Sequence, residues 1–144
     1  MKELDHASHA EVVRLSEAGD NLVEKGDFTN ALDRYWEAFD ILPEPKNAWE
    51  AGTWILVAIG DCHFLSGNFK AGMELLTDTM HYPEAIGNPF IHLRLGQCHF
   101  ELGNLDKAAD ELTRSYAIEG EEIFNSEDPK YWEFLKTKLA LSGS

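Results

Sequence analysis

Three stretches of the chain repeat one order of small, polar and apolar positions. Each opens on a glycine (Gly19, Gly60, Gly96) and reaches a second glycine seven residues later, at Gly26, Gly67 and Gly103. An acid or amide follows at once (Asp27, Asn68, Asn104), then an apolar residue (Phe28, Phe69, Leu105), and a small residue lies five beyond the glycine (Ala31, Gly72, Ala108). That order predicts a helical hairpin each time. The first glycine lets two helices approach closely, and the second ends the leading helix in a left-handed cap. The acid or amide caps the next helix. The apolar residue packs back into the hairpin, and the small residue marks the crossing.

The intervals between hairpins differ. Gly19 to Gly60 is 41 positions and Gly60 to Gly96 is 36. An excess of seven over 34 equals about two helical turns, so Asn47 is expected as an N-cap and Ala48 to Ser66 as one extended helix. Pro43 and Pro45 break the helix before it. The second excess falls in a loop at Ala85-Ile86-Gly87-Asn88, with Asn88 as N-cap and Pro89 at the first helical position. Ser8-His9-Ala10-Glu11 has the form of a capping box for the first helix. Residues 119–128 hold five acids (Glu119, Glu121, Glu122, Glu127, Asp128) and no base, the composition of a solvated linker. Asp128-Pro129 then starts a last helix with Tyr131, Trp132, Leu135 and Leu139 on one side. Ser142-Gly143-Ser144 is left out of the expected fold.

In its repeat the sequence resembles the tetratricopeptide repeat (TPR) family, whose 34-residue pattern it matches in three copies. The first copy matches at Leu15, Ala18, Gly19, Leu22, Ala31, Tyr35, Ala38 and Pro43. The second matches at Leu56, Ile59, Gly60 and Leu76, with His63 in the tyrosine place and Thr79 in an alanine place. The third matches at Leu95, Gly96, Ala108 and Leu112, with His92, His99 and Ser115 as departures. The resemblance covers about residues 10–120. It implies an all-α fold: an α-solenoid of three helix-turn-helix hairpins and a C-terminal capping helix, which covers the last open face. One domain over 1–144 is expected, with repeats at about 12–45, 46–86 and 89–120 and the capping helix at about 128–141.

Charge narrows the partners. Twelve Lys and Arg stand against 26 Asp and Glu, a net charge of -14 in 144 residues. A polyanion needs a basic face, so nucleic acid is excluded as a partner, and anionic lipid likewise. A basic partner is the complement. The segment from Met1 to His6 is charged and has no apolar core, so no secretory signal is expected. The longest apolar stretch, Trp54 to Gly60, is far short of the ~20 residues of a membrane span. Cys62 and Cys98 form no C-x-x-C and no disulfide framework. A soluble, cytoplasmic protein with free thiols is expected.

No motif of a known catalytic class occurs, so no enzyme activity, catalytic residue or cofactor is expected. Cys62-His63 and Cys98-His99 occupy equivalent places in two repeats and together make a zinc-type donor set. Neighbouring residues on a helix point about 100° apart, which disfavours both on one ion. Packing of a thiol as a small hydrophobe explains the cysteines without metal. His92 is expected in the core, hydrogen-bonded to backbone, and His6 and His9 on a solvated face.

The TPR resemblance implies that the first helix of each hairpin lines a concave groove. Its rows there hold Asp20; Trp54, Val57, Asp61 and Phe64; and Phe90, Arg94, Gln97 and Phe100. Aromatic anchors in a groove have the character of binding hot spots, unless the capping helix fills that groove. The family's carboxylate clamp uses Lys and Asn at positions that hold Ser16, Val57, Leu93, Asp20, Asp61 and Gln97 here, so a grip on acidic tails is not expected. The expected function is non-enzymatic binding of an apolar and basic protein segment in the groove. The alternatives are an acidic immunity-type neutraliser of a basic toxin and a secretion chaperone, against which the uneven 41 and 36 spacing counts. A metal-binding protein using Cys62, His63, Cys98 and His99 is the alternative of a different class.

Overall fold

Asp5 starts the first helix. Its carboxylate accepts the Ser8 backbone N–H at 2.9 Å and the Ser8 hydroxyl at 2.8 Å, so α1 runs His6–Glu24. The capping box expected at Ser8 is corrected by one turn: an acid three residues earlier offers the stronger charge-assisted acceptor. The computed structural model describes residues 3–143, and side chains for 3–140. Met1 and Lys2, at the head of the charged N-terminal segment, and Ser144, in the Ser-Gly-Ser tail, lie outside it. Within the one expected domain, the chain divides into two compact units, one through Ile86 and one from Gly87 on.

In the first unit, α1 pairs with α2 (Phe28–Ile41), and α3 (Glu50–Leu65) pairs with α4 (Phe69–Thr79). The glycine order of the sequence sits where these helices meet. A Cβ at Gly19 would stand 2.5 Å from the Tyr35 ring, and one at Gly60 would stand 2.5 Å from Leu76. Gly26 and Gly67 take φ of 78° and 84°. Asp27 caps α2 by accepting the Asn30 N–H, whereas Asn68 holds the N-cap place of α4 without a side-chain bond. Val12, Leu15, Ala31, Tyr35, Ala38, Ile55, Leu56, Ile59 and Cys62 form the core. Burying each large aliphatic there contributes about 1.5–3 kcal/mol.

The extended helix expected over Ala48–Ser66 is corrected. A 3-10 turn at Lys46–Ala48 is followed by Trp49 in extended backbone, and α3 begins only at Glu50. Two contacts tie this insertion back onto the end of α2. The Lys46 ammonium donates to the Leu42 carbonyl at 2.7 Å and lies near those of Phe39 and Asp40, an orphan-carbonyl role suited to a cation. The Trp49 indole donates to the Pro43 carbonyl at 2.7 Å. The segment after α4 is anchored similarly: the Thr53 hydroxyl donates to the Pro83 carbonyl at 2.7 Å, and Tyr82 lies against Gly52.

In the second unit, α5 (Pro89–Glu101) pairs with α6 (Leu105–Glu119), and α7 (Pro129–Gly143) follows a 3-10 turn at Glu121–Phe124. Asn88 caps α5 as expected, accepting the N–H groups of Phe90 and Ile91 with Pro89 at the helix start. Every residue from Ile91 through His99 is buried. On one side Gly96 meets Leu112. On another, Phe100 packs edge-on against Tyr131 and Phe134 of α7 at 5.4 and 5.1 Å between ring centres. The Tyr131 hydroxyl and the Lys130 ammonium both reach Glu101 at 2.8 Å. Trp132 stacks between Tyr116 and Phe124.

The solvated linker expected at 119–128 is also corrected. Phe124 is buried, and Glu127 turns inward onto α5. The described residues contain no strand, and no described helix is long and apolar enough to cross a membrane.

Candidate functional site

Helix α3 is apolar around most of its circumference, a pattern normally found in helices covered all round. Ala51, Gly52, Thr53, Ile55, Leu56, Ile59, Gly60 and Cys62 are buried. Of the remaining positions, Trp54, Val57, Ala58, Asp61 and Leu65 fall at helical spacing on one stripe. Trp54 is 40 % exposed and Leu65 45 %, while Val57, Ala58 and Asp61 are half-buried. Phe64 flanks the stripe, half-buried and packed on Phe69 at 5.7 Å. The stripe therefore keeps large apolar surface that its own unit leaves uncovered.

Two acids flank it. The Tyr35 hydroxyl donates to Asp20 of α1 at 2.6 Å. Burial raises the Tyr35 phenol above its usual range, and both Asp20 and Asp61 push it further. One hydroxyl thus senses carboxylates from α1 and α3, which places negative charge beside this surface.

The corresponding stripe on α5 is closed. Arg94 and Gln97 are buried, and both donate to the Glu127 carboxylate, Gln97 at 2.8 Å. Arg94 also donates to Gln97 at 2.7 Å and lies 4.8 Å over the Phe90 ring. Phe100 is taken up by α7. Of the nine groove residues named from sequence, Asp20, Trp54, Val57, Asp61 and Phe64 stand on or beside the uncovered face of the first unit. In the second unit Arg94, Gln97 and Phe100 are engaged by the chain's own Glu127 and α7, and Phe90 supports Arg94.

The cysteine–histidine pairs are packed. Burial pushes the Cys62 thiol up to about 11 and the Cys98 thiol up to about 12, so neither is poised as a thiolate ligand. Cys62 lies 3.6 Å from the Phe28 carbonyl. Burial lowers His63, whose Nδ1 is buried without a hydrogen-bond partner, and lowers His99. Among the described residues, no group of three or more His, Cys, Asp and Glu is placed to hold a metal. His92 is buried as expected. Its Nε2 accepts the Gly87 N–H at 3.2 Å, and its Nδ1 lies 2.6 Å from Glu111. The backbone contact was legible in the sequence and the glutamate partner was not.

A further feature escaped the sequence reading. A cleft of about 620 Å³ opens in the first unit among Glu3, Leu4, His6, His9, Trp49, Glu50, Ala51 and Trp54. It adjoins the upper end of the α3 stripe, with Trp54 common to both.

No protein-family model matches the sequence, and no curated protein does. Solved structures match its fold nearly end to end. The type III secretion translocator chaperone SycD of Yersinia enterocolitica is 12% identical, with a TM-score of 0.73 over 97% of this chain and 100% of that one. The first TPR of Spaghetti (RPAP3), bound to the HSP90 peptide SRMEEVD, is 17% identical, with a TM-score of 0.69 over 93% and 98%. PcrH of Pseudomonas aeruginosa, in complex with the chaperone binding region of PopB, is 15% identical, with a TM-score of 0.64 over 98% and 99%. The fold is therefore TPR-like, as the glycine repeat predicts. The uneven spacing that counts against a chaperone in the sequence does not separate this fold from SycD or PcrH.

Proposed function

We propose that this chain is a non-catalytic protein-binding module whose partner lays an apolar and basic segment along the α3 stripe. The observation that supports it is the stripe Trp54, Val57, Ala58, Asp61 and Leu65, exposed at Trp54 and Leu65 and half-buried between them, on a helix whose opposite side lies in the core. Exposed aromatics that become desolvated supply most of the affinity of an interface. Asp20 and Asp61 favour a basic ligand and disfavour an acidic one. Structures of the same fold include one bound to a peptide and one bound to a segment of a client protein, which supports a protein or peptide partner here.

The secretion-chaperone alternative draws support from the nearly full-length likeness to SycD and PcrH. The immunity-type alternative rests on net charge alone.

Site-specific crosslinking tests the reading. A photo-crosslinking amino acid in place of Val57 should trap one protein in the native host, and the same group in place of Asp33, an exposed position on α2, should not. Trapping from Asp33 with none from Val57 would place the partner elsewhere.

A further inference from the structure

Six of the side chains around the cleft at the head of the first unit come in three pairs. Trp49 and Trp54 supply two indoles, Glu3 and Glu50 two carboxylates, and His6 and His9 two imidazoles. Among the described residues, no Lys or Arg lines it. Trp49 is a fixed wall, 9 % exposed and hydrogen-bonded through its indole to Pro43. Trp54 is the open wall. The positive ends of α1 and α3 lie at this region, but Asp5 already accepts the Ser8 N–H at the start of α1, and Glu50 stands in the first turn of α3. The helix ends are thus answered by carboxylates within the chain, and the cleft retains negative charge beside indole faces.

We propose that this cleft binds the cationic head of a basic side chain, an arginine or lysine of the partner. Indole is the strongest ring for a cation, and a guanidinium both stacks on such a ring and pairs with carboxylates. A wall locked by its own hydrogen bond lowers the ordering cost of binding. The inference rests on the reading of the α3 stripe as the partner surface: through Trp54, the cation would anchor one end of a segment whose apolar side chains continue over Val57 and Leu65.

The test uses N-acetyl-arginine amide against its neutral isostere N-acetyl-citrulline amide, followed by amide and indole NMR shifts of the full chain. The arginine probe should shift Trp54 and the backbone near His6, His9 and Glu50 saturably. Citrulline should bind at least roughly tenfold more weakly. Glu3→Gln with Glu50→Gln should lower the arginine affinity by a similar factor while leaving the helical spectrum unchanged. Equal binding of the two probes, or arginine binding unaltered in the double variant, would overturn the proposal. The stripe reading has its own readout: crosslinking from Val57 that persists while the arginine probe fails would remove the cation site and leave the stripe, and loss of both would remove the two together.

Discussion

Arg94 on α5 and Glu127, just before α7, form a buried ion pair across 33 positions of sequence. Gln97 completes it by donating to the same carboxylate oxygen. The pair helps close the stripe on α5. On α5 the polar groups that face outward in a bare repeat are satisfied by the chain itself, and α7 covers Phe100. On α3 nothing in the first unit does the same for Trp54 and Val57. Removing one member of a buried pair strands the other charge.

Glu127→Ala should therefore destabilise the protein by about 3–5 kcal/mol. Replacing Arg94, Gln97 and Glu127 together by Met, Leu and Leu should be much milder, because no charge is left unpaired. Urea unfolding of the two variants measures both. A single variant as stable as wild type would show that Arg94 finds another partner.

Helix crossings predict a contrast among glycines. A Cβ at Gly96 would meet Leu112, including its backbone nitrogen at 3.1 Å, whereas nothing lies within 4 Å of one at Gly103. Gly96→Ala should cost about 1–3 kcal/mol through overpacking. Gly103→Ala has room, and its φ of 83° alone makes it costly, at about 1–2 kcal/mol. Thermal melts compare them with wild type, and a Gly96→Ala melt coincident with wild type would mean that α5 and α6 do not cross there.

Acid should weaken the fold through two histidines. Burial holds His63 and His99 below the usual imidazole range, and Lys107 lowers His99 further. The unfolded chain then binds more protons than the folded one below about pH 6.5. Their contribution is fully present above that pH and is lost as pH falls through the folded values. His63→Gln with His99→Gln should flatten the dependence of stability on pH between about 7 and 5 relative to wild type. Parallel curves for the two proteins would contradict the burial account.

Asp20 and Asp61 should act on the rate of association. Exposed charges steer encounter and are screened over about 8–10 Å at physiological salt. Asp20→Asn with Asp61→Asn should slow binding of the partner and reduce its salt dependence, with a small change in dissociation, as read by stopped-flow or surface plasmon resonance. A faster dissociation with unchanged association would make these acids direct contacts.

The glycine order made the hairpins legible because close approach and a left-handed cap each demand a residue without a side chain. Gly19, Gly60 and Gly96 stand at crossings, and Gly26, Gly67 and Gly103 have positive φ. What escaped the sequence were contacts made at long range. Five acids in a row of ten positions have the composition of a solvated segment, yet Glu127 is drawn inward by an arginine that lies on another helix. Asn47 satisfies the rules for a cap, but the Lys46 and Trp49 bonds to the end of α2 hold the insertion as a turn. The aromatic stripe was visible on both α3 and α5. That the stripe on α5 is closed depends on α7 and Glu127, and no local pattern encodes that.

The central claim is that the open α3 stripe is the partner surface. Once the partner is captured from Val57, calorimetric titration of wild type against Trp54→Ala and Trp36→Ala tests it most directly. Both tryptophans are similarly exposed, at 40 % and 37 %, but Trp36 lies on α2. Trp54→Ala should weaken binding by about 2 kcal/mol or more, with Trp36→Ala close to wild type. Full affinity in Trp54→Ala, with the loss in Trp36→Ala instead, would contradict the account and move the site to the face of α2.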